Sequence, residues 1–332
     1  MPHAPPLGAL LRQYAAGSAL TCDPVDQGLL NRGYRLRTTR GRYFLKHHFD
    51  PETADPVAIA RQHRATQRLA DLGVPVAPPL TGTDGRTVAV IGGHAYALHP
   101  WIDGRHQHGG QLTGEQCARL GALLGVVHAS LEQVMPVEGR TRANPASDPV
   151  DTFALIDRLL ARVRHHRPLD TFDELARHRL LERRALLERH ADRRPPQGGS
   201  VGWVHGDFHP FNLLYRDGEP AAIVDWDRLG VHPRAEEAVR AAVIFFVRPV
   251  GALDLAKVRA YARAYRRTAG ATPCELTAAV HRVWWERLND FWMLRWHYER
   301  GDTRADPQFP AASALAVWWT RQYDAVREAF AG

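Results

Sequence analysis

Lysine is almost absent from this chain. Of its 43 basic residues only Lys46 and Lys257 are lysines, and all the others are arginine. A site that needs positive charge alone would be served here by arginine. A lysine therefore marks a position where a compact ammonium fits and a planar guanidinium fork does not. Cysteine is scarce too: Cys22, Cys117 and Cys274 are odd in number, scattered and without metal-ligand spacing. That pattern excludes a disulfide framework and suggests a reducing compartment. No apolar run reaches the roughly 18 residues that a membrane-spanning helix needs. The first residues, Met1-Pro2-His3-Ala4-Pro5-Pro6, lack the apolar core of a signal peptide. A cytoplasmic location is expected, with no membrane partner.

What is present is concentrated between Trp203 and Asp227. Val201 to Val204 is an apolar run that predicts a buried strand, and His205 to Phe211 is a polar loop broken by Gly206 and Pro210. Leu213 to Tyr215 and Ala221 to Val224 predict a hairpin closed around Asp217-Gly218. Asp207 and Asn212 then share one loop, and Asp225 sits just past the second strand, folded back beside them. Carboxylate, amide and carboxylate at strand ends are the hard oxygen donors that a magnesium–nucleotide site uses. Lys46 lies in Arg42-Tyr43-Phe44-Leu45-Lys46-His47, a strand-like run. Lys257, in Leu255-Ala256-Lys257-Val258-Arg259, has no comparable context and is expected to face solvent.

Protein kinases carry H-R-D-x-x-x-x-N followed downstream by D-F-G. Here His205-Gly206-Asp207 precedes Asn212 by the same interval, and Asp225-Trp226-Asp227 stands where D-F-G would. In these residues the chain resembles the aminoglycoside phosphotransferase and choline kinase-like family. The resemblance implies a small-molecule kinase that moves the γ-phosphoryl group of a nucleoside triphosphate to a hydroxyl of a small metabolite or antibiotic. ATP is the implied donor, with GTP left open, and Mg²⁺ the implied metal. By the same resemblance Asp207 deprotonates the acceptor hydroxyl, Asn212 and Asp225 hold Mg²⁺, and Lys46 steadies the phosphates. Gly28, Asn31 and Gly33 fall where a loop closes over the triphosphate. His99 or Trp101, flanking Pro100, would offer a backbone N–H to adenine. Asp227 is expected to be structural. The helix expected over Ala58 to Leu72 carries Gln62 where such kinases place a glutamate partner for the lysine; Gln62 could orient Lys46 by a hydrogen bond, and Gln62→Glu is expected to be tolerated.

The implied fold class is α+β, protein kinase-like and bilobal, with a small antiparallel-sheet N-lobe and a larger, mainly helical C-lobe. The boundaries read as 1–98 for the nucleotide-binding lobe, 99–104 for a hinge, and 105–332 for the catalytic and substrate-binding lobe with a helical insertion at 151–200. The pattern of Asn31 before the second strand and Gly73-Val74-Pro75-Val76 after the helix leans toward homoserine kinase-like members. Between Asp157 and Arg194 there are 11 arginines against 7 acids. Pairs such as Asp173 and Arg177 have the spacing of a solvated helix face, and no aromatic interleaving accompanies them, so nucleic acid is not an expected partner. The aromatic stripe of Trp284, Trp285, Trp292 and Trp296 predicts core packing. A cage for a quaternary or protonated amine is its functional alternative, with Glu286, Asp290 and Glu299 as candidate acids. At the level of the whole protein, the alternatives are a catalytically silent nucleotide-binding regulator and a ligand-binding protein of the same fold.

Overall fold

The computed structural model describes residues 4–25, 31–49, 54–137, 144–196 and 198–332. Gly28 lies outside the described residues. The chain divides into two compact units that do not follow chain order. The first comprises Met1–Gln107, Ala129–Pro136 and Trp203–Gly230; the second comprises His108–His128, Val137–Gly202 and Val231–Gly332.

In the first unit a short helix α1 (Leu7–Gln13) precedes strands β1 (Ala19–Val25), β2 (Arg32–Thr38) and β3 (Gly41–His48). Helix α2 (Pro56–Asp71) then intervenes before β4 (Ala89–Ile91) and β5 (His94–Pro100). The five strands form one antiparallel sheet in the order β1-β2-β3-β5-β4. Alternation along β3 sorts its side chains. Leu45 goes to one face with Leu36, Tyr96 and Leu98, where Leu10, Leu11 and Tyr14 cover it. Lys46 and His48 go to the other. Helix α2 starts two residues before the expected Ala58, because Asp55 accepts the Val57 and Ala58 N–H groups and Pro56 opens the first turn. Its buried stripe is Ile59, Ala65 and Leu69.

Strand β6 (Val201–Val204) leads into the polar loop, and β7 (Leu213–Arg216) and β8 (Glu219–Ile223) form the expected hairpin. Asp217 and Gly218 both take positive φ, 54° and 83°, the requirement of a two-residue turn matched to strand twist. The hairpin is stitched to earlier chain: Ile223 N–H donates to the Pro75 carbonyl at 2.8 Å, and Arg105 and Tyr215 exchange backbone bonds of 2.9 and 2.8 Å.

Strand β9 (Gly230–Pro233) ends this segment, and the remaining helices lie on either side of it in the chain. These are α3 (Gly114–Val134), α4 (Pro149–His165), α5 (Thr171–His190), α6 (Arg234–Phe246), α7 (Leu255–Ala269), α8 (Pro273–Asn289), the single turn α9 (Trp292–Arg295), α10 (Phe309–Arg321) and α11 (Tyr323–Ala331). Thr113 and Gln116 form the predicted capping box of α3, at 3.2 and 2.9 Å. The core belongs to aromatics: Trp284, Trp285, Trp319, Tyr261, Tyr265, Phe246 and Phe330 are all fully buried. Core packing is therefore the role of Trp284 and Trp285, whereas Trp292 and Trp296 are half-buried. The faces of Trp284 and Trp296 are already covered by the guanidinium groups of Arg193 and Arg300, at 4.7 and 5.2 Å. Glu286 is engaged by Arg240 through two bonds, and Glu299 by Arg295. Lys257 does not face solvent as expected; its ammonium donates to the Gly109 carbonyl at 2.6 Å.

Helix α3 approaches α7 backbone to backbone at Gly121. Alanine is the better helix former by about 1 kcal/mol, yet a Cβ on Gly121 would stand 2.1 Å from the Tyr261 carbonyl oxygen. Gly121→Ala is expected to destabilise by about 1–3 kcal/mol, the range for overpacking, read as a lower urea midpoint at unchanged slope. A higher midpoint would show that this approach relaxes without cost.

Candidate active site

The site is assembled within the first unit, from β3, α2 and the segment after β6. Lys46 is buried, and its Nζ lies 2.7 Å from Asp225 Oδ1 and 2.7 Å from Asp227 Oδ1. Across the sheet Lys46 is in register with Gly33 on β2 and Ala97 on β5. A Cβ on Gly33 would come within 2.6 Å of the Phe44 ring, so the glycine keeps room for the aromatic neighbour of the lysine. Burial alone would lower the pKa of Lys46; the charges of Asp225 and Asp227 outweigh it and hold the ammonium above its ordinary range. Three imidazoles near this ammonium add no competing charge. Burial, with the neighbouring positive charge, pushes His48 down to about 2, His63 to about 3 and His99 to about 4.

The two aspartates are not equivalent. The Asp225 side chain is 44% exposed and that of Asp227 only 14%, so Asp225 can reach a ligand while Asp227 faces inward. Burial raises both carboxyls, but the Lys46 charge and hydrogen bond win at Asp225 and depress it. At Asp227 burial and the negative charge of Asp225 prevail, and the group is pushed up. Asp227 is held from three sides. Lys46 and the side-chain amide of Asn31 bind its carboxylate, and Gln62 Nε2 donates to its backbone carbonyl at 2.8 Å. Asn31 also accepts the Phe49 N–H at 3.0 Å, which fixes the amide between the end of β3 and Asp227. The expectation for Gln62 is corrected here: it steadies the backbone of Asp227 and does not touch Lys46.

The loop that carries Asp207 is pinned to the end of β8 by His205. The ring is fully buried; Nε2–H donates to the Val224 carbonyl at 3.0 Å, and Nδ1 accepts the Asp207 N–H at 3.2 Å. These two bonds fix the tautomer and tie the residue before Asp225 to Asp207. Gly206 has φ +86°, and a Cβ there would stand 2.1 Å from the Arg228 carbonyl oxygen, so only glycine fits. Asn212 Nδ2 donates to the Asp207 carbonyl at 2.9 Å, and the Val224 N–H donates to the Asn212 carbonyl at 2.9 Å. Asp225 itself takes φ +60°, uncommon for a residue with a Cβ; this turn brings its carboxylate back to Lys46. Trp226 fills the space behind, buried, with its N–H on the Ile223 carbonyl.

Asp207 is 37% exposed, with His209 Nε2 at 3.5 Å and Arg228 Nε at 3.9 Å from its Oδ2. Burial would raise its carboxyl, but the His209 hydrogen bond and the charges of His209 and Arg228 hold it below the ordinary range. It is an anion at neutral pH. His99 lies in β5, its ring bonded to the Ala77 carbonyl at 2.9 Å. The Trp101 N–H is spent on the Arg42 carbonyl at 3.1 Å, because the β3–β5 ladder runs on past Pro100. Sequence reasoning missed His205 as a pin and Asp227 as a partner of Lys46. The signals were there: a histidine two residues before Asp207, and two carboxylates two residues apart.

A family model described as the phosphotransferase enzyme family matches residues 21–271. Among curated relatives, a homoserine kinase of Bartonella tribocorum is 26% identical over 126 residues, which covers 38% of this chain and 38% of that protein's length. A homoserine kinase of Burkholderia ambifaria is 26% identical over 313 residues, covering 87% of this chain and 86% of its own. Among solved structures, an amicoumacin kinase in complex with AMP-PNP, Ca²⁺ and its antibiotic superposes with a TM-score of 0.63 at 17% identity, covering 95% of this chain and 92% of the other.

Gln62→Glu is expected to give an outcome opposite to the sequence expectation. A carboxylate there would face the Asp227 carbonyl beside two anions already sharing one cation. The variant is expected to unfold at lower temperature than Gln62→Ala, which loses only a hydrogen bond of about 1 kcal/mol. Thermal unfolding of the two variants decides, and a Gln62→Glu protein as stable as wild type would place Gln62 elsewhere.

Proposed function

Because the chain belongs to the phosphotransferase enzyme family, we propose that it transfers the γ-phosphoryl group of ATP to the hydroxyl of a small molecule. The supporting observation is the Lys46–Asp225–Asp207 arrangement, pinned as one piece by His205. An amino alcohol of the homoserine type is the acceptor class to which the curated relatives point. Nucleic acid and membranes have no part in this reading. Among the described residues no helix is long and apolar enough to cross a membrane, and the proposed place of work is the cytoplasm.

The donor chemistry fits Mg²⁺. Asp225 supplies an exposed anionic oxygen, and Asn212, whose Nδ2 is committed to the Asp207 carbonyl, has its Oδ1 as the remaining amide acceptor. These two would hold the ion, which when bound neutralises charge on the phosphates. Lys46, released in part from Asp225, contacts phosphate oxygens while Asp227 keeps hold of it. Asp207 accepts the hydrogen bond of the acceptor hydroxyl. The hydroxyl oxygen bonds to the γ-phosphorus, the bond to the bridging oxygen breaks, ADP leaves with that electron pair, and the proton passes to the Asp207 carboxylate. Positioning and charge neutralisation carry most of such a transfer.

Asp207→Asn is expected to lower kcat by at least about 10²-fold, the low end for general-base catalysis, with nucleotide affinity little changed. Since the Asp207 carboxyl is held below its ordinary range, the wild-type rate should stay flat through neutrality and fall only on acidification past the usual carboxylate range. Full turnover in Asp207→Asn would remove this residue from the mechanism. Asp225→Ala should abolish the Mg²⁺-dependent thermal shift given by ATP, and Asn212→Ala should weaken it less, because water replaces a neutral amide more readily than an anion. Unchanged shifts in both variants would sink the metal assignment.

A further inference from the structure

A second cluster of ligating side chains lies in the second unit, built from residues that the phosphoryl-transfer reading does not use. His166 caps the end of α4, Asp173 is in the first turn of α5, and His297 sits in the π-helical turn Trp296–Arg300 that follows α9. One nitrogen of each ring and one carboxylate oxygen of Asp173 lie within 4.8 Å of one another. We propose that these three side chains bind a zinc-class divalent ion that clamps the α4–α5 junction to the π-helical turn.

Three observations carry this beyond proximity. The Asp173 side chain is 1% exposed, although its spacing from Arg177 reads as a solvated face. A buried carboxylate must be hydrogen-bonded and paired or bound to a metal. Asp173 accepts the Asp170 N–H at 3.0 Å, but among the described residues no lysine or arginine pairs with it or with the neighbouring Asp306. Two carboxylates and two imidazoles therefore share one small volume, and a divalent ion would neutralise it. The second observation is the outer layer of partners. His297 Nδ1 is bonded to Asp306 at 2.7 Å, which leaves Nε2 as its ligand atom, and Tyr298 donates to Asp173 Oδ1 at 2.7 Å. Metal-bound histidines and carboxylates are oriented in this way. Third, the His297 ring is stacked on Phe172 at 4.3 Å, which fixes its direction before any ion arrives. Imidazole nitrogens with one carboxylate suit zinc and its neighbours better than magnesium. The His166 side chain, 38% exposed, gives the ion a way in, and its Nδ1 now holds Asp173 at 2.9 Å as a proton-mediated stand-in.

The test uses the full chain stripped with a chelator. Titration with Zn²⁺ should show one equivalent bound with a rise in melting temperature, and Co²⁺ should give visible d–d absorption of a low-coordinate N/O site. His297→Gln should abolish the stoichiometric uptake. Asp306→Asn leaves all three ligands in place and should weaken it by about 10- to 100-fold, the usual effect of losing an outer partner; it keeps the test open if His297→Gln does not fold. No stoichiometric Zn²⁺ uptake by wild type would overturn the proposal, leaving a hydrogen-bonded histidine–carboxylate cap. Equal uptake by wild type and both variants would overturn it as well, placing the ion on other histidines.

Discussion

The structure of the candidate site depends on one buried ammonium shared by two carboxylates. Taking an ion out of water costs several kcal/mol even after relaxation, so Lys46 on β3 is tolerable only if Asp225 and Asp227 are delivered to it. That requirement reaches across 179 residues of chain. It explains why the β7–β8 hairpin is bound to Pro75 and Arg105 and not left as a free excursion. It also explains why a left-handed backbone at Asp225, which costs about 1–3 kcal/mol, persists: relaxing it would turn one carboxylate away and leave a buried cation short of charge.

The second constraint is that Asp207 and Asp225 are held as one piece. His205 joins Asp207 to Val224, and Asn212 joins Asp207 to the same residue from the other side. Each link is an ordinary hydrogen bond, but together they tie the backbone at Asp207 to the residue before Asp225. Gly206 makes this possible, since any side chain there would meet the Arg228 carbonyl. The apolar ring of Trp226 then closes the rear, so the polar groups keep a low-dielectric wall on one side, where their interactions with charge are stronger.

Most of this was legible in the sequence where local chemistry decides. Asp217-Gly218 announced its turn, Thr113 and Gln116 their capping box, and the solitary strand lysine its buried place. What was not legible was partner choice at long range. Gln62 was read by analogy as a partner of Lys46, yet it is bonded to the Asp227 backbone, because which of two nearby groups an amide meets is set by packing. Lys257 read as exposed because nothing in its neighbours in sequence signals the Gly109 carbonyl far upstream. Asp173 read as solvated for the same reason: helix periodicity places it on a face but does not say what covers that face. Acids in the tryptophan-rich region read as candidate ligands of a cation, yet Arg240 and Arg295 engage Glu286 and Glu299, and Asp290 accepts the Trp292 N–H.

The exchange of a helix glutamate for Gln62 changes how the lysine is controlled. In protein kinases the strand lysine pairs with a glutamate on the following helix, so placement of that helix and of the lysine are coupled by a charge. Here the charge partners are Asp225 and Asp227, and the helix contributes a neutral amide bond to a backbone carbonyl. A net worth of about 1 kcal/mol is a weak lever beside an ion pair whose breakage costs several. Charge balance at Lys46 therefore stays within the β3–hairpin assembly. A shift of α2 would cost this site little charge compensation, whereas a shift of the hairpin would cost it both carboxylates at once. Control of the lysine in this chain resides in the Asp225-Trp226-Asp227 turn, which Asn31, just before β2, ties to Phe49 at the end of β3.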